Sequence, residues 1–363
     1  MNIEKLVPDF KQVDMQAIIE TTPLGELKYP GFFPSQYTTD LSISALEATF
    51  GASVMADVVA FDSRAPRKGR PTPGKLTGDI PKIEVARTKI ETDIIRYRTM
   101  LNNARATRNP NALAAVVNWM YEDSEFVLQA VRARTEWLAK KAASDGRYKL
   151  TVVNNAGGSV TPLEIGFGIK DSHRRGVSAL WSNPTTAKPI TDIENLQKAA
   201  RKEGYALKFA TTDHDTMQTI LAAAETQKYV ATYVANVLDL QRIPTVEDLN
   251  SVLTRNGLPT FRVWDSYVAA EAKDGTITSE TGWVEGHVNF SVVSLLGSIQ
   301  WTETADGIIS IDESTKATND FVLVKVYAEQ DPINVVTKGI AYATPVLDGA
   351  SQMFILDSKT IEA

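Results

Sequence analysis

The chain has 363 residues, of which 43% are hydrophobic and 23% are charged, and its formal net charge is −6. This composition is that of a globular protein with two or three compact units, and it excludes wholesale disorder. The excess of acids excludes a global attraction to nucleic acid or anionic lipid, so any such affinity would need a local basic patch. Cysteine is absent, which excludes disulfides, thiolate metal sites and cysteine nucleophiles. No secretory signal or membrane-spanning run is visible, so we expect a soluble protein.

The first 90 residues predict an arm followed by a long hairpin. Residues 1–35 mix proline, glycine and aromatics without a sustained period, which predicts an extended arm. Residues 50–62 and 80–90 predict two strands, and the segment between them, SRAPRKGRPTPGK (63–75), contains no acid. Each arm of this hairpin would reach roughly 35–40 Å, whereas a 100-residue domain has a radius of gyration of about 13 Å. We therefore expect the hairpin to project from its own domain.

Two helices are predicted next. A short amphipathic helix covers residues 91–104. A longer one begins at Asn109, a capping residue followed by proline at the first helical position, and ends at Gly146. Its apolar residues recur on one face, and at 1.5 Å per residue it would be roughly 50 Å long. A helix of this length beside a projecting hairpin is unusual for an enzyme domain.

The rest of the chain alternates between helical and extended patterns. Residues 150–190 predict loops and short strands. From residue 321 onward, apolar alternation predicts further strands. The fold class is therefore predicted to be mixed α+β, with an insertion domain near residues 190–310. Within that insertion we predict helices at 192–204, 214–238 and 246–257 and strands at 205–212, 261–271 and 283–293.

Three patterns that could suggest an active site have simpler explanations. VVNNAGGS (152–159) resembles an element of short-chain dehydrogenases, but the chain has neither a G-x-G-x-x-G turn nor a Tyr-x-x-x-Lys pair. Asp213-His214-Asp215 is better explained by a helix cap at Asp215, because adjacent side chains rarely converge on one metal ion. The third pattern, the G-x-S-x-G elbow that would position a nucleophilic serine, does not occur in the sequence. We predict no catalytic site, no metal site and no cofactor.

The basic stretch has three interpretations. It lacks aromatics for base stacking and a helix that could enter a DNA groove, which disfavours sequence-specific DNA binding. The three interpretations are a segment that contacts phosphates without sequence specificity, a solvated loop, and an arm that lies on a partner protein. The candidate contact residues are Arg64, Arg67, Lys68, Arg70 and Lys75.

The order of these parts resembles the lambda-type major capsid protein E family of tailed phages, which has the Hong Kong 97 fold. The resemblance is carried first by GFFPSQYTTDLSISALEATFG (31–51) and VVAFDSRAPRKGRPTPGKLTGDIPKIEVART (58–88), in which Thr-Pro-Gly (72–74) and Lys-Ile-Glu-Val (82–85) match the extended-loop pattern of the family. The helix at 109–146 is similar to the spine helix. GIAYATPVLDGASQMFILDSKT (339–360) is similar to the closing strands.

The resemblance implies a division of the chain into the parts of a capsid subunit. Residues 1–35 would be the N-terminal arm and residues 48–90 the extended loop. Residues 91–190 and 311–363 would form the peripheral domain, with the spine helix at 110–145, and residues 191–310 would form the axial domain.

The implied function is a major capsid protein that self-assembles into the hexamers and pentamers of an icosahedral phage head around double-stranded DNA. The implied partners are other copies of the chain, a scaffolding, a portal and a decoration protein, and DNA bound without sequence specificity, with assembly in the host cytoplasm and a place in the virion. No cofactor or membrane is implied. The five basic residues would lie on an acidic surface of the neighbouring subunit. An encapsulin-type shell protein is the alternative within this fold, and a short-chain-dehydrogenase-like enzyme is the alternative outside it.

Overall fold

The computed structural model describes residues 7, 10–43, 45–46, 75–76, 79–151, 154–155, 163–233, 243–272, 274–309 and 314–362. The strand predicted at 50–62, the basic residues of 63–74 and the end of the helix predicted at 214–238 lie outside this part.

The helices are α1 (Gln12–Thr21), α2 (Glu91–Thr107), α3 (Pro110–Asp145), α4 (Pro189–Lys202), α5 (His214–Ala222), α6 (Ala224–Tyr233), α7 (Val246–Arg255) and α8 (Ala305–Ile308). The strands are β1 (Ser35–Tyr37), β2 (Ala45–Leu46), β3 (Lys75–Leu76), β4 (Lys82–Lys89), β5 (Arg147–Leu150), β6 (Leu163–Gly166), β7 (Arg174–Val177), β8 (Phe209–Thr212), β9 (Thr260–Val263), β10 (Val268–Glu271), β11 (Ile277–Glu280), β12 (His287–Ser291), β13 (Gly297–Thr302), β14 (Ser314–Asn319), β15 (Val322–Gln330), β16 (Ile333–Leu347) and β17 (Phe354–Ile361).

The long helix predicted at 109–146 is confirmed as α3. The side chain of Asn109 caps its start by accepting a hydrogen bond from the Asn111 amide at 3.0 Å. Gly146 ends it with a φ of 65°, a left-handed conformation that glycine adopts without strain. The helix has 36 residues and is about 54 Å long. Its first turns expose apolar side chains, whereas its C-terminal half is almost entirely buried.

One face of α3 packs on a sheet of order β1-β13-β16-β15-β14, in which β4 also pairs with β16. Strand β16 is the centre of this sheet, because β15 and β13 pair with successive parts of one edge and β4 pairs with the other. Gly339 of β16 lies directly under the helix. A Cβ atom there would be 2.6 Å from the carbonyl oxygen of Val127, so only glycine allows the helix and the strand to approach this closely.

A second sheet has the order β7-β17-β12-β8-β9. It forms a wall between two hydrophobic cores, since Ile355 of β17 belongs to the core around α3, whereas Phe354 and Leu356 belong to a core covered by α4, α5, α6 and α7. Strands β7 and β17 of this sheet lie outside the predicted insertion, whereas β12, β8 and β9 lie inside it. Strand β13 also lies inside the insertion, but it belongs to the other sheet. The domain boundaries stay a prediction.

Helices α4 and α7 confirm the helical patterns at 192–204 and 246–257, but the single helix predicted from residue 214 is wrong. Helix α5 stops at Ala223, whose ψ of 132° is extended, and α6 begins at the next residue. The amide of Ala224 donates to the carbonyl of Pro184 at 2.9 Å instead of to its own helix. This tertiary hydrogen bond overrides the continuous helical pattern. The helix also begins at His214 rather than at the cap predicted on Asp215.

The single strand predicted at 261–271 is also wrong, because the chain leaves the sheet between β9 and β10. Trp264 and Ser266 turn toward α3, where the indole Nε1 of Trp264 and the hydroxyl of Ser266 both donate to Glu136. Trp264 is fully buried and stacks on Phe32 with ring centroids 4.2 Å apart. A buried carboxylate on the helix therefore determines where this strand is interrupted.

Glu136 and Lys140 form a buried polar cluster one helical turn apart on α3. The amides of Lys28 and Tyr29 donate to Glu136 at 3.1 and 2.7 Å. The ammonium group of Lys140 donates to the carbonyl of Ser266 at 2.6 Å. Neither side chain is exposed to solvent. Burial lowers the pKa of Lys140 to about 8, although the negative charge of Glu136 opposes that shift.

We predict that Lys140→Met makes stability less dependent on pH. Below pH 8 the folded and unfolded chains both keep the proton on this lysine. Between pH 8 and 10.5 only the unfolded chain keeps it, so stability rises with pH, by about 3 kcal/mol over the whole window. Urea unfolding of both proteins at about pH 7.5 and pH 9.5 measures the difference in slope. The exposed Lys198→Met should keep the wild-type slope, and an unchanged slope in Lys140→Met would contradict the prediction.

Candidate assembly interface

The predicted projecting segment is closed at its base by two short strands. β2 and β3 pair antiparallel, with Leu46 opposite Lys75. Further from the segment, Ser42 bridges to Asp79 and the amide of Ile80 donates to the carbonyl of Leu41 at 2.7 Å. Residues 46 and 75 are therefore held opposite each other.

Four of the five candidate contact residues, Arg64, Arg67, Lys68 and Arg70, lie outside the described residues. Lys75 lies in β3, opposite Leu46, and so belongs to the paired base of the segment. The role of these five residues as an inter-subunit contact stays a prediction.

Strand β4 follows the segment in the chain, and we call it the returning limb. It is paired along its full length with β16, in the sheet on which α3 packs. Strand β4 pairs antiparallel with β16, from Lys82 opposite Tyr342 to Lys89 opposite Val335. One side of the strand packs half-buried Ile83 and Val85 against the first core. The strand predicted at 80–90 is thus confirmed, and it fixes the direction in which the chain returns from the segment.

A buried ion pair joins the end of β4 to α3. The ammonium group of Lys89 donates to Asp123 and lies 3.6 Å from the carboxylate of Glu122. It also lies 4.7 Å from the ring centroid of Trp119, within range of a cation–π interaction. Lys89 is only 8% exposed. Because a buried charge without a partner is costly, these contacts hold the limb and the helix together.

Two further charged groups of β4 extend this attachment. The guanidinium carbon of Arg87 lies 3.4 Å from the ring centroid of Phe126, and Arg87 is 3.7 Å from Asp123. Glu84 accepts from Lys338 of β16 and from Lys82. Burial would raise the pKa of Glu84, but the hydrogen bonds from the two lysines outweigh it and hold the pKa below its ordinary value. The limb therefore carries charges that are already neutralised within the subunit.

No local pattern indicates the residues that attach β4 to α3 and β16, because they join distant parts of the chain. Lys89 and Asp123, for example, are separated by 34 positions. The helical pattern of α3 did offer one signal, since Asp123 and Glu136 are acids within its apolar face.

The patterns weighed as active sites do not converge in the described part of the chain. His214 lies 3.9 Å from Asp265, and both side chains are about half exposed. Within the described ranges no cluster of three or more histidine, aspartate and glutamate side chains could hold a metal ion. The helices described there are also too short or too polar to cross a membrane.

The sequence matches the family described as phage major capsid protein E over residues 26–347. The chain belongs to this family. Comparison with curated proteins gives no match.

Two solved structures share the fold of this capsid protein. A capsid protein assigned to a prophage of E. coli CFT073 is 14% identical, with 98% of this chain and 99% of that chain covered and a TM-score of 0.56. A phage-related protein from Bordetella bronchiseptica RB50 is also 14% identical, with 97% and 98% covered and a TM-score of 0.52. The α+β fold of the Hong Kong 97 type predicted from the sequence is confirmed. The family is one of structural proteins of the phage virion.

We predict that Lys89→Met destabilises the capsid protein by about 2–4 kcal/mol, because it leaves Asp123 buried with only the more distant Arg87. Lys82→Met removes a more exposed ion pair and should cost less than about 1 kcal/mol. Urea unfolding of the unassembled subunit compares the two variants. Adding Asp123→Leu to Lys89→Met should recover much of the loss, since an apolar pair replaces the ion pair. Equal losses in the two single variants would contradict the prediction.

Proposed function

We propose that copies of this chain assemble into the hexamers and pentamers of an icosahedral phage head that encloses double-stranded DNA. The family match over residues 26–347 carries this proposal. Exposed aliphatic side chains in the described part of the chain support it, since large apolar groups on a single subunit are buried when copies associate. Val13, Ile277 and Ile308, for example, are 76%, 69% and 67% exposed.

The subunit would divide as the sequence predicts. Residues 1–35 form the N-terminal arm, residues 48–90 the extended loop, residues 91–190 and 311–363 the peripheral domain, and residues 191–310 the axial domain. The pairing of β2 with β3 supports an extended loop, because it holds residues 46 and 75 opposite each other, as the two ends of such a loop would be.

The basic part of the extended loop would lie on an acidic surface of the neighbouring subunit. Arg64, Arg67, Lys68, Arg70 and Lys75 occur in a stretch without acids, whereas the whole chain has 44 acids against 38 lysines and arginines. A basic loop on an acidic subunit favours contact between copies and fixes its register. Each exposed ion pair contributes only about 0–1 kcal/mol, so the contact would depend on several pairs and on repetition around the shell.

The subunit would have no catalytic activity and no cofactor. Its other partners would be a scaffolding, a portal and a decoration protein, and the packaged DNA would contact the inner surface without sequence specificity. Assembly would take place in the cytoplasm of the host bacterium.

Negative-stain electron microscopy of the purified protein tests the proposed function. Shells, tubes or ring-shaped capsomers are the expected result. A monodisperse monomer of 39.8 kDa under all assembly conditions would overturn the proposal. The nucleic-acid content of particles from infected cells, measured by absorbance, distinguishes a phage head from an encapsulin-type shell, which would contain protein cargo.

We predict that Arg67→Glu combined with Arg70→Glu impairs assembly and leaves the fold of the subunit intact. The reversed charges would repel the acidic surface that receives the loop. Light scattering measures assembly, and thermal unfolding of the unassembled protein checks the fold. Arg201→Glu combined with Lys202→Glu makes the same change of net charge at the end of α4 and should assemble normally. Normal assembly of the loop variant would mean that the basic stretch is a solvated loop.

A further inference from the structure

Arg262 lies on β9, which is an edge strand of the five-stranded sheet. The strand pairs parallel with β8, where Arg262 is opposite Thr211, and its other edge has no partner strand in the described part of the chain. The side chain is partly buried. A partly buried arginine at a sheet edge raises the question of which group neutralises it.

The described residues supply only part of what the guanidinium group can bind. Its Nη1 donates to the carbonyl of Ser294 at 2.5 Å and its Nη2 donates to the hydroxyl of Thr211 at 2.9 Å. A guanidinium group has five N–H donors. The buried Nε has no acceptor among the described residues, and no carboxylate in that part of the chain forms an ion pair with Arg262.

Two aromatic rings hold the group in place. The guanidinium carbon lies 5.1 Å from the ring centroid of Phe32 and 4.7 Å from that of Phe209. These distances are within the range of cation–π contacts. Burial lowers the pKa of Arg262 to about 10. The group is therefore fixed in position and partly desolvated, which is the state in which an opposite charge gains most from binding.

An apolar rim lies beside the charge. The loop after β12 places Val293 and Leu295 on either side of Ser294, whose carbonyl binds Arg262. These two side chains are 54% and 46% exposed. An arginine whose hydrogen-bond acceptor lies between two exposed aliphatic residues has the composition of an energetically important site in a protein–protein interface.

We propose that Arg262, Val293 and Leu295 form a contact surface that receives a carboxylate of a second copy of this chain. This inference rests on the proposed function, because it needs copies that assemble. We call this set the Arg262 surface. Its edge strand, its unpaired cation and its apolar rim would all be covered in the shell.

Charge and apolar area favour a second copy over packaged DNA as the partner. The chain has six more acids than lysines and arginines, so each neighbouring copy offers many carboxylates. Phosphate binding relies on several lysines and arginines that follow the backbone. The exposed Val293 and Leu295 gain nothing from a phosphate, whereas they would be buried against protein.

The first test compares assembly of Arg262→Met and Arg262→Lys with wild type in the absence of nucleic acid. Arg262→Met should raise the protein concentration for half-maximal assembly at least roughly tenfold, since it removes one partner of a buried charge pair. Arg262→Lys keeps the charge but loses the planar fork of the guanidinium group. Its concentration for half-maximal assembly should lie between those of wild type and Arg262→Met. The matched control is Arg255→Met, an exposed arginine at the end of α7, which should assemble as wild type does. Assembly of Arg262→Met at the wild-type concentration would overturn the proposal.

The second test does not depend on the folding of an Arg262 variant. Because the chain has no cysteine, Leu295→Cys introduces a single thiol at the rim. Its rate of reaction with a maleimide should fall at least roughly tenfold from free subunits to DNA-free shells, as expected for a side chain that becomes buried in an interface core. Equal rates in free subunits and shells would overturn the proposal. Protection that appears only in DNA-filled shells would also overturn it, in favour of a phosphate contact.

The two proposals fail in different ways. If the wild-type protein forms no shells, the proposed function fails and the inference fails with it. If the wild type assembles and the Arg262 surface stays reactive and insensitive to substitution, only the inference fails.

Discussion

The buried carboxylate of Glu136 is the interaction on which the arrangement of this subunit depends. It lies in the C-terminal half of α3 and accepts hydrogen bonds from the backbone of Lys28 and Tyr29 and from the side chains of Trp264 and Ser266. These donors come from the N-terminal segment and from the connection between β9 and β10. A charge without solvent must be satisfied by nearby donors, so these distant segments are all held at one position on the helix.

Other parts of the fold contact α3 at other positions along the helix. The main sheet approaches the helix closely at Gly339, and the limb that returns from the extended segment is attached to the helix at Asp123. The charges of that limb are neutralised within the subunit, whereas Arg262 on the opposite sheet is not paired with a carboxylate among the described residues. The ion pairs of the limb thus stabilise the subunit itself, whereas Arg262 is the cation for which we propose a partner in a neighbouring copy.

The elements that the sequence predicted correctly are those determined by local signals. Asn109, Pro110 and Gly146 mark the ends of α3 because caps and helix breakers act within a few residues. The errors arose where tertiary contacts override local patterns. The break after β9 is caused by a hydrogen bond between Trp264 and Glu136, which are 128 positions apart, and the break after α5 by one between Ala224 and Pro184. The basic stretch was recognisable from charge alone, but the attachment of β4 through Lys89 was not, since no local pattern links it to Asp123.

The position of β17 has a consequence for the synthesis of this protein. The strand lies between β7 and β12 in the five-stranded sheet, and its alternating side chains enter both cores. A chain that has not yet reached Phe354 therefore lacks the strand that joins β7 to the rest of this sheet, together with part of both cores. Neither core is complete until β17 is in place, so this one strand couples the two cores.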